Sequence, residues 1–235
     1  MRTFDDIEVK VLGTWLGEEL FLGRLTQRGD EIRDMEDLMT LHNKSLLGKA
    51  PSADYMRLPH TTLRRMSLIE VAIVGLSTKC MNQLRTHATR LTFVSTSTQY
   101  SNYTGQDNFI LPSGLSEEAA DIMKEFYDNA QNVYNKLINE YGVDNDKASY
   151  VLPQSLRKAV VISGSLDAWE YVMRTRLCYR NSEEMQYVMK LIYKEFAKRM
   201  PPTYLVNMLP KCTTTGCEEG KFCCGKKFDE KECLR

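Results

Sequence analysis

His87 and its neighbours form the most promising chemical cluster in the sequence. The chain has three histidines, at positions 42, 60 and 87, and His87 lies among Gln83, Arg85 and Arg90. Two guanidinium groups and an amide supply hydrogen bonds that suit a phosphate or a nucleotide. The same residues also fit the solvated end of a helix, where basic side chains complement the helix dipole. The residues by themselves leave both interpretations open.

A hydroxyl-rich segment follows this cluster. It consists of Ser95 to Thr98, followed by Gln99 and Tyr100. Hydroxyl groups and backbone amides in a loop can bind an anion, although Ser and Thr are also ordinary loop residues. The sequence contains neither a nucleophile elbow nor a glycine-rich phosphate loop. Because side chains cannot supply hydride or radical chemistry, a redox function would require a cofactor.

Five of the seven cysteines lie in the last 24 residues, from Cys212 onward. Cys212, Cys217, Cys223 and Cys224 have the spacing C-x4-C-x5-C-C, which is looser than the paired CxxC of a zinc ribbon. The spacing leaves open a thiol-rich cytosolic segment, a structural zinc site and a redox role. We divide the chain into a domain over residues 1–210 and a cysteine-rich tail over residues 211–235, and we assign no metal site.

The N-terminal half of the sequence predicts two strands and two helices. Ile7, Val9 and Val11 alternate with charged residues, as in a half-buried strand. An extended segment over residues 19–25 could pair with that strand. Residues 34–47 have helical spacing, whereas residues 48–59 contain the Gly, Pro and Ser typical of a loop. A longer helix is predicted from Leu68 to Leu84 or His87, on the apolar positions Ile69, Ala72, Ile73, Leu76, Cys80 and Leu84.

The C-terminal half predicts further helices. Residues 89–103, dense in Ser and Thr, are expected to form a structured loop. The predicted helices are one capped by Ser116 and ended by Gly142, a shorter one between Pro153 and Arg174, and one that begins at Ser182 and stops at Pro201 and Pro202. The sequence thus predicts an α+β fold in which helices dominate.

Charge and hydropathy exclude some classes of partner. Thirty-one basic and 31 acidic residues cancel, which removes the bulk electrostatic attraction to nucleic acid or to an anionic membrane. No apolar run is long enough for a transmembrane helix, and the first ten residues lack the apolar core of a signal peptide. We therefore expect a cytoplasmic protein that binds neither nucleic acid nor membranes.

Several short motifs, in one order and with nearly constant spacing, resemble the flavin-dependent thymidylate synthases. Each motif is weak alone, and together they cover about His60 to Gly225. The matching segments are His60-Thr-Thr, Gly75-Leu-Ser running through Gln83 to His87, Ser97-Thr-Gln-Tyr100, Val151-Leu-Pro153, Arg176-Leu-Cys-Tyr-Arg180 with Gln186, and the cysteine-bearing C-terminus from Cys212 to Gly225.

The resemblance implies a helix-rich domain with an antiparallel sheet, of that family's type, assembled as a homotetramer. It further implies FAD as cofactor, NADPH and methylenetetrahydrofolate as co-substrates, and conversion of dUMP to dTMP without an enzymic cysteine nucleophile. His60, Thr62, His87, Arg85 and Arg90 would bind the cofactor. The substrate would contact Gln83, Ser97, Gln99, Tyr100 and Arg176, of which Ser97 and Arg176 would join His87 in catalysis.

The sequence also departs from the family pattern. Thr86 and Ala88 replace the two arginines of the Arg-His-Arg signature, and Gln99 replaces the arginine of Ser-x-Arg-Tyr. Ser149 stands for the arginine before Val-Leu-Pro, and Ser165 for a flavin-contacting asparagine. The arginines that could compensate from shifted positions are Arg85, Arg90 and Arg157.

These replacements leave two alternatives beside thymidylate synthesis. A divergent relative could hydroxymethylate or hydroxylate C5 of dUMP or dCMP, which would suit a virus that modifies its DNA precursors. The fold could instead persist as a nucleotide-binding module without catalysis, because a fold does not fix a function.

Overall fold

A computed structural model describes residues 1–46, 51–105 and 107–234. Its centre is a four-stranded antiparallel sheet with the order β1-β2-β4-β3. The strands are β1 (Glu8–Trp15), β2 (Leu68–Ser77), β3 (Leu91–Ser95) and β4 (Arg157–Ser165). Among the described residues the α-helices are α1 (Glu18–Gln27), α2 (Met35–Leu46), α3 (Ala53–Met56), α4 (Thr62–Arg65), α5 (Thr78–Arg85), α6 (Glu117–Asn139), α7 (Asn145–Ala148), α8 (Leu166–Arg176), α9 (Glu183–Arg199) and α10 (Lys231–Leu234). The predicted α+β class, rich in helices, is confirmed.

The core lies between the sheet and the helices α8 and α9. Trp169 of α8 is fully buried, donates from its indole nitrogen to the carbonyl of Ile69 at 3.1 Å, and packs edge-on against Phe196 of α9. This buried aromatic pair joins the sheet to the helices, and the Ile69 carbonyl satisfies the buried indole N–H.

The predicted helix from Leu68 is wrong over its first half, which is strand β2. Ile69, Val71 and Ile73 are buried while Leu68, Glu70 and Val74 are exposed, so the period is two. The β-branched side chains favour the extended backbone. A continuous apolar run satisfies helical and strand spacing at once, which explains the error. The helical part, α5, begins only after Ser77.

Three other segments also differ from the predicted secondary structure. Residues 19–25 belong to helix α1, in which Glu19 is buried and accepts from Tyr204 Oη at 2.9 Å. Residues 89–103 contain strand β3 instead of only a loop, and the segment after Pro153 forms strand β4 before it reaches helix α8. In each case the segment contacts residues that are distant in the sequence. Local spacing does not reveal such contacts.

The remaining element predictions are confirmed with small changes of boundary. Strand β1 includes Val9 and Val11, and helix α2 covers the described part of residues 34–47. Ser116 caps α6 by accepting from the Ala119 amide at 3.3 Å, and α9 ends before Pro201. The loop predicted over residues 48–59 contains the short helix α3, and its residues 48–50 lie outside the described part.

The C-terminal segment packs against the body of the protein. Phe228 and Cys233 are buried in the main hydrophobic core, and Phe228 lies 5.4 Å from the ring of Tyr179. Lys190 of α9 forms an ion pair with Glu232 at 2.7 Å. Within the described ranges, no helix has the length and apolar character needed to cross a membrane.

Candidate functional site

Arg176, the last residue of α8, joins two distant parts of the chain. Its Nε donates to His87 Nε2 at 2.8 Å, and its Nη2 donates to Thr86 Oγ1 at 2.8 Å and to the Gln83 carbonyl at 3.2 Å. Its Nη1 donates to Asn181 Oδ1 at 2.9 Å. The guanidinium group therefore holds the end of α5 and the loop before α9 in one fixed arrangement.

The topology of the sheet explains this meeting. Strands β2 and β4 are antiparallel, so the helices that follow them start at opposite ends of the pair. Each helix is capped by the last serine of its strand: Ser77 Oγ accepts from the Cys80 amide at 2.9 Å, and Ser165 Oγ accepts from the Ala168 amide at 3.2 Å. The helices then run toward each other, and their C-terminal ends meet at Arg176.

The environment of His87 favours the neutral imidazole. The side chain is buried, and burial lowers its pKa below the usual value, with further lowering by the positive charges of Arg176 and Arg90. Because Nε2 accepts from Arg176, the proton of the neutral ring resides on Nδ1. The rings of His87 and Tyr171 meet edge to face, and the guanidinium group of Arg90 lies 4.1 Å from the centroid of the Tyr171 ring.

A groove rich in hydroxyl groups, which we call the hydroxyl groove, lies on one side of α5. Its volume is about 410 Å³. Arg85 lines it and donates to Ser95 Oγ at 2.7 Å, and Ser97 lines it while accepting from the Gln99 amide at 3.1 Å. The remaining lining residues are Thr78, Met81, Asn82, Thr96, Thr98, Ser149, Leu152, Pro153, Gln154, Leu156 and Lys158. Such a surface can bind an anion through cations and hydroxyl donors.

A second groove, which we call the arginine groove, lies beyond Tyr171 and has a volume of about 350 Å³. Its lining includes Arg57, Thr61, Arg65, Arg90, Tyr171 and Arg174. Arg65 has a long ion pair with Asp167 at 3.4 Å, and no hydrogen bond or ion pair involves Arg174 in the described part of the chain. Arg57, Arg64 and Arg65 are paired with Asp54, Glu170 and Asp167, so the cations of this groove that remain for an anionic ligand are Arg90 and Arg174, beside the ring of Tyr171.

The floor of the arginine groove contains a buried ion pair. Arg64 Nε donates to Glu170 Oε2 at 2.9 Å, and Asn207 donates to Glu170 Oε1 at 3.0 Å. Burial raises the pKa of Glu170, while Asn207 and Arg64 act in the opposite direction. With both carboxylate oxygens engaged, this pair fixes α4 against α8, and a structural role explains it.

The residues predicted from the sequence fall into four groups. Gln83, His87 and Arg176 meet, although the Gln83 amide oxygen accepts from Ser182 Oγ at 2.8 Å. Arg85 and Ser97 lie together in the hydroxyl groove, whereas Arg90 lies in the arginine groove. The other four predicted residues, His60, Thr62, Gln99 and Tyr100, are exposed and lie beside these grooves without lining them.

Sequence reasoning missed Lys158, Tyr171 and Arg174. Lys158 lies on β4 and lines the hydroxyl groove, and the other two line the arginine groove. The segment between Pro153 and Arg174 was predicted as a single helix. In strand β4, alternate residues lie on the same face, so Lys158 lies on the face of Val160 and Ile162. Arg157, expected to compensate for a lost arginine, lines neither groove.

The cysteine-rich tail lies next to the site. A third cavity, of about 280 Å³, is lined by Arg174, Cys178, Cys212 and Cys217 among others. Over residues 1–46, 51–105 and 107–234, no group of three or more His, Cys, Asp and Glu side chains has an arrangement suited to a metal ion.

Comparison with known proteins gives consistent matches. The family model described as thymidylate synthase complementing protein matches residues 23–202. The flavin-dependent thymidylate synthase of Thermococcus kodakarensis is 27% identical over 184 residues, which cover 73% of this chain and 74% of that protein. The corresponding protein of Thermococcus onnurineus is 24% identical over 188 residues, with coverage of 73% and 74%.

Two solved structures share the fold. The UMP/dUMP methylase PolB from Streptomyces cacaoi, bound with 5-Br dUMP, has a TM-score of 0.67 at 17% identity and covers 87% of this chain and 95% of its own. Thymidylate Synthase X from Helicobacter pylori, with FAD and dUMP, has a TM-score of 0.60 at 16% identity, with coverage of 86% and 97%. At these identities the similarity concerns the fold alone.

Proposed function

The chain belongs to the thymidylate synthase complementing protein family, and from this premise we propose that it is a flavin-dependent enzyme that modifies C5 of a pyrimidine nucleotide. The family and the fold type expected from the motifs are confirmed. The reaction we propose is methylation of dUMP to dTMP, with methylenetetrahydrofolate as the carbon donor and NADPH as the reductant.

The observation that carries the proposal is the convergence on Arg176. Gln83, His87 and Arg176 come from segments about ninety residues apart in the sequence, and hydrogen bonds join them at one point between two grooves. The motif resemblance named the same three residues as site residues. Arg85 and Arg90, which stand on either side of His87 in the sequence, line the two grooves.

The donor set of the arginine groove fits FAD. The pyrophosphate of a dinucleotide needs cationic donors, which Arg90 and Arg174 provide, and Tyr171 lies beside His87 as an aromatic neighbour. His60 and Thr62 flank Thr61 in the sequence, and Thr61 lines the same groove. Bound FAD would supply the hydride transfer that side chains cannot perform.

Arg176 has the geometry to orient a pyrimidine. A guanidinium group has five N–H donors, and four acceptors among the described residues engage four of them, which leaves one N–H on Nη1. That remaining donor can bind a carbonyl oxygen of the base. His87, neutral and accepting at Nε2, holds the guanidinium plane in position.

The hydroxyl groove is the proposed nucleotide site. Ser97 and Arg85 line this groove and would contact the substrate, with Gln99 and Tyr100 in the adjoining exposed segment. Folate is proposed as the second substrate. By the family resemblance we also propose a homotetramer, which sedimentation of the purified protein would establish or overturn. A candidate for such contact is α6, on which Ile122 and Phe126 are 70% and 58% exposed.

A spectrum and an assay test the proposal. The purified protein should show flavin absorption, and with methylenetetrahydrofolate and NADPH it should convert dUMP to dTMP, identified by product mass. The Arg176→Ala variant should retain flavin and lose turnover. A product from dCMP, or a product heavier than dTMP by one oxygen, would indicate the altered C5 chemistry. A protein that takes up no FAD and turns over neither nucleotide would refute the proposal.

A further inference from the structure

Lys158 is a buried cation without an acidic partner. It lies on β4, and only 5% of its surface is exposed. Its Nζ donates to Tyr103 Oη at 3.2 Å and to the Thr96 carbonyl at 3.5 Å, and it lies 4.9 Å from the centroid of the Tyr103 ring. Within the described residues, no carboxylate lies within ion-pair distance of this ammonium group.

A buried ammonium group with two neutral partners is incompletely compensated. Withdrawing a charge from water is costly unless an opposite charge replaces the lost hydration. Lys158 Nζ lies 3.5 Å from the Thr96 carbonyl oxygen, at the distance limit of a hydrogen bond, so this hydrogen bond is weak. An anion that enters the groove beside Lys158 would provide the missing charge.

The surroundings of Lys158 have the composition of an anion site. The residues that line the hydroxyl groove include Lys158 and Arg85 but no Asp or Glu in the described part of the chain. Arg85 reaches Ser95 Oγ and has no carboxylate partner there. Lys158 of β4, which is buried, and Arg85 at the end of α5, which is exposed, therefore both line the hydroxyl groove.

We propose that Lys158, with Arg85, binds the phosphate monoester of the nucleotide substrate. This inference rests on the proposed function and deepens it, because it names the cations that replace the family's missing arginines at Thr86, Ala88, Gln99 and Ser149. The bound group is a phosphate dianion, which receives a charge-assisted hydrogen bond from Nζ. Ser97 and Thr98 supply hydroxyl groups on the same wall.

Binding measurements on the flavin-loaded protein test the role of Lys158. The titrated ligands are dUMP, deoxyuridine and inorganic phosphate, measured by calorimetry, and the FAD content is read from the absorption spectrum of each purified protein. The Lys158→Met variant should bind dUMP at least about tenfold more weakly, because it loses one charge-assisted bond, and Lys158→Arg should recover most of this loss. Affinity for deoxyuridine and the FAD content should not change. The control is Lys136→Met, which removes an exposed lysine of α6 outside the groove.

Each other outcome has a defined meaning. Unchanged dUMP affinity in Lys158→Met, or equal weakening for dUMP and deoxyuridine, overturns the inference and leaves the proposed function intact. Loss of FAD with unchanged dUMP binding would assign Lys158 to the cofactor and overturn it as well. Inorganic phosphate binding that depends on Lys158, in a protein inactive on every nucleotide, supports the anion site and refutes the proposed reaction. Absence of binding to any phosphate probe overturns both.

A structure avoids dependence on the stability of a variant. Lys158 is buried in the sheet, so Lys158→Met could fail to fold. A crystal structure of the unaltered protein with dUMP should place a phosphate oxygen about 2.7–2.9 Å from Nζ. A phosphate located in the arginine groove, or away from Lys158, overturns the inference.

Discussion

At the scale of single residues, the burial of His87 beside Arg176 makes the stability of the folded protein depend on pH. Burial, Arg176 and Arg90 lower the pKa of His87 below its usual value of about 6.5. The unfolded chain therefore takes up a proton at a higher pH than the folded protein does. His87 contributes stability that is complete above about pH 6.5 and is lost as the pH falls toward the folded-state pKa.

This sign leads to a measurable difference. From about pH 7.5 to about pH 5, a range that spans the usual histidine pKa of about 6.5, the unaltered protein should lose more unfolding free energy than the His87→Gln variant. The variant has no titrating group at position 87. Denaturant titrations across that range give the comparison. His60→Gln is the matched control, because it removes an exposed imidazole and should keep the full acid response. Parallel curves for the unaltered protein and His87→Gln would contradict the assigned environment of His87.

Arg176 should not be replaceable by lysine. Lys keeps the positive charge but presents its donors from one nitrogen, so it cannot contact His87, Thr86, Gln83 and Asn181 together. The loss of each charge-assisted hydrogen bond costs about 1.5–3 kcal/mol, and a tenfold change in rate corresponds to about 1.4 kcal/mol. We therefore expect Arg176→Lys to reduce dTMP formation by about tenfold to a hundredfold. Arg199→Lys, at an exposed position of α9, is the control, and equal turnover by the two variants would argue against the prediction.

The sequence identified part of this site and missed the rest for a physical reason. Gln83, His87 and Arg176 were found because a motif preserves residue type and spacing even when the fold is unknown. Lys158 was missed because its importance lies in burial without a carboxylate partner, and burial depends on which strands flank β4. The contacts that decide this come from residues 96 and 103, more than fifty positions away.

At the scale of elements, the difficult part of the sequence was the change from strand to helix. Ile69 and Ile73 belong to β2, whereas Cys80 and Leu84 belong to α5, yet all of them fit one helical stripe. The structure marks the change at Ser77, whose side chain caps α5. Ser165 marks the same change between β4 and α8. A serine after an alternating apolar run was therefore the signal that could have separated strand from helix.

The start of α5 depends on a carboxylate from α9. Glu184 accepts from the Ser77 amide and from Ser77 Oγ, both at 2.6 Å, and both residues are buried. Glu184→Ala would leave two buried donors without a partner, so we expect a loss of about 2–3 kcal/mol in unfolding free energy. Glu183→Ala, one residue earlier, removes an exposed carboxylate from the same helix turn and should cost less than about 1 kcal/mol. Denaturant unfolding of both variants distinguishes them, and equal losses would show that the contact to Ser77 contributes little.

At the scale of the whole molecule, the sheet order explains how one domain combines its grooves. β4 lies between β2 and β3, and the hydroxyl-rich segment after β3 lines the same groove as Arg85 of α5, the helix that follows β2. Hydrophobic spacing predicted the α+β class, but the order β1-β2-β4-β3 depends on pairing between residues as far apart as Leu68 and Ser165. Local patterns contain little information on such pairing, which is why class was predictable and topology was not.

The tail after residue 210 was predicted as a separate unit, and its contacts allow a test of that division. Phe228 is 3% exposed and packs on Tyr179, while Phe222 in the same tail is 55% exposed. If the tail folds together with the body, Phe228→Ala should lower the unfolding free energy of the whole protein by about 3 kcal/mol, as for a buried aromatic residue. Phe222→Ala, which loses at most surface contacts with Arg180 and Lys221, should cost less than about 1 kcal/mol. Tryptophan fluorescence reports the body, because Trp15 and Trp169 both precede the tail. Equal unfolding midpoints for the two variants would mean that the tail folds independently, and the division at residue 210 would then stand.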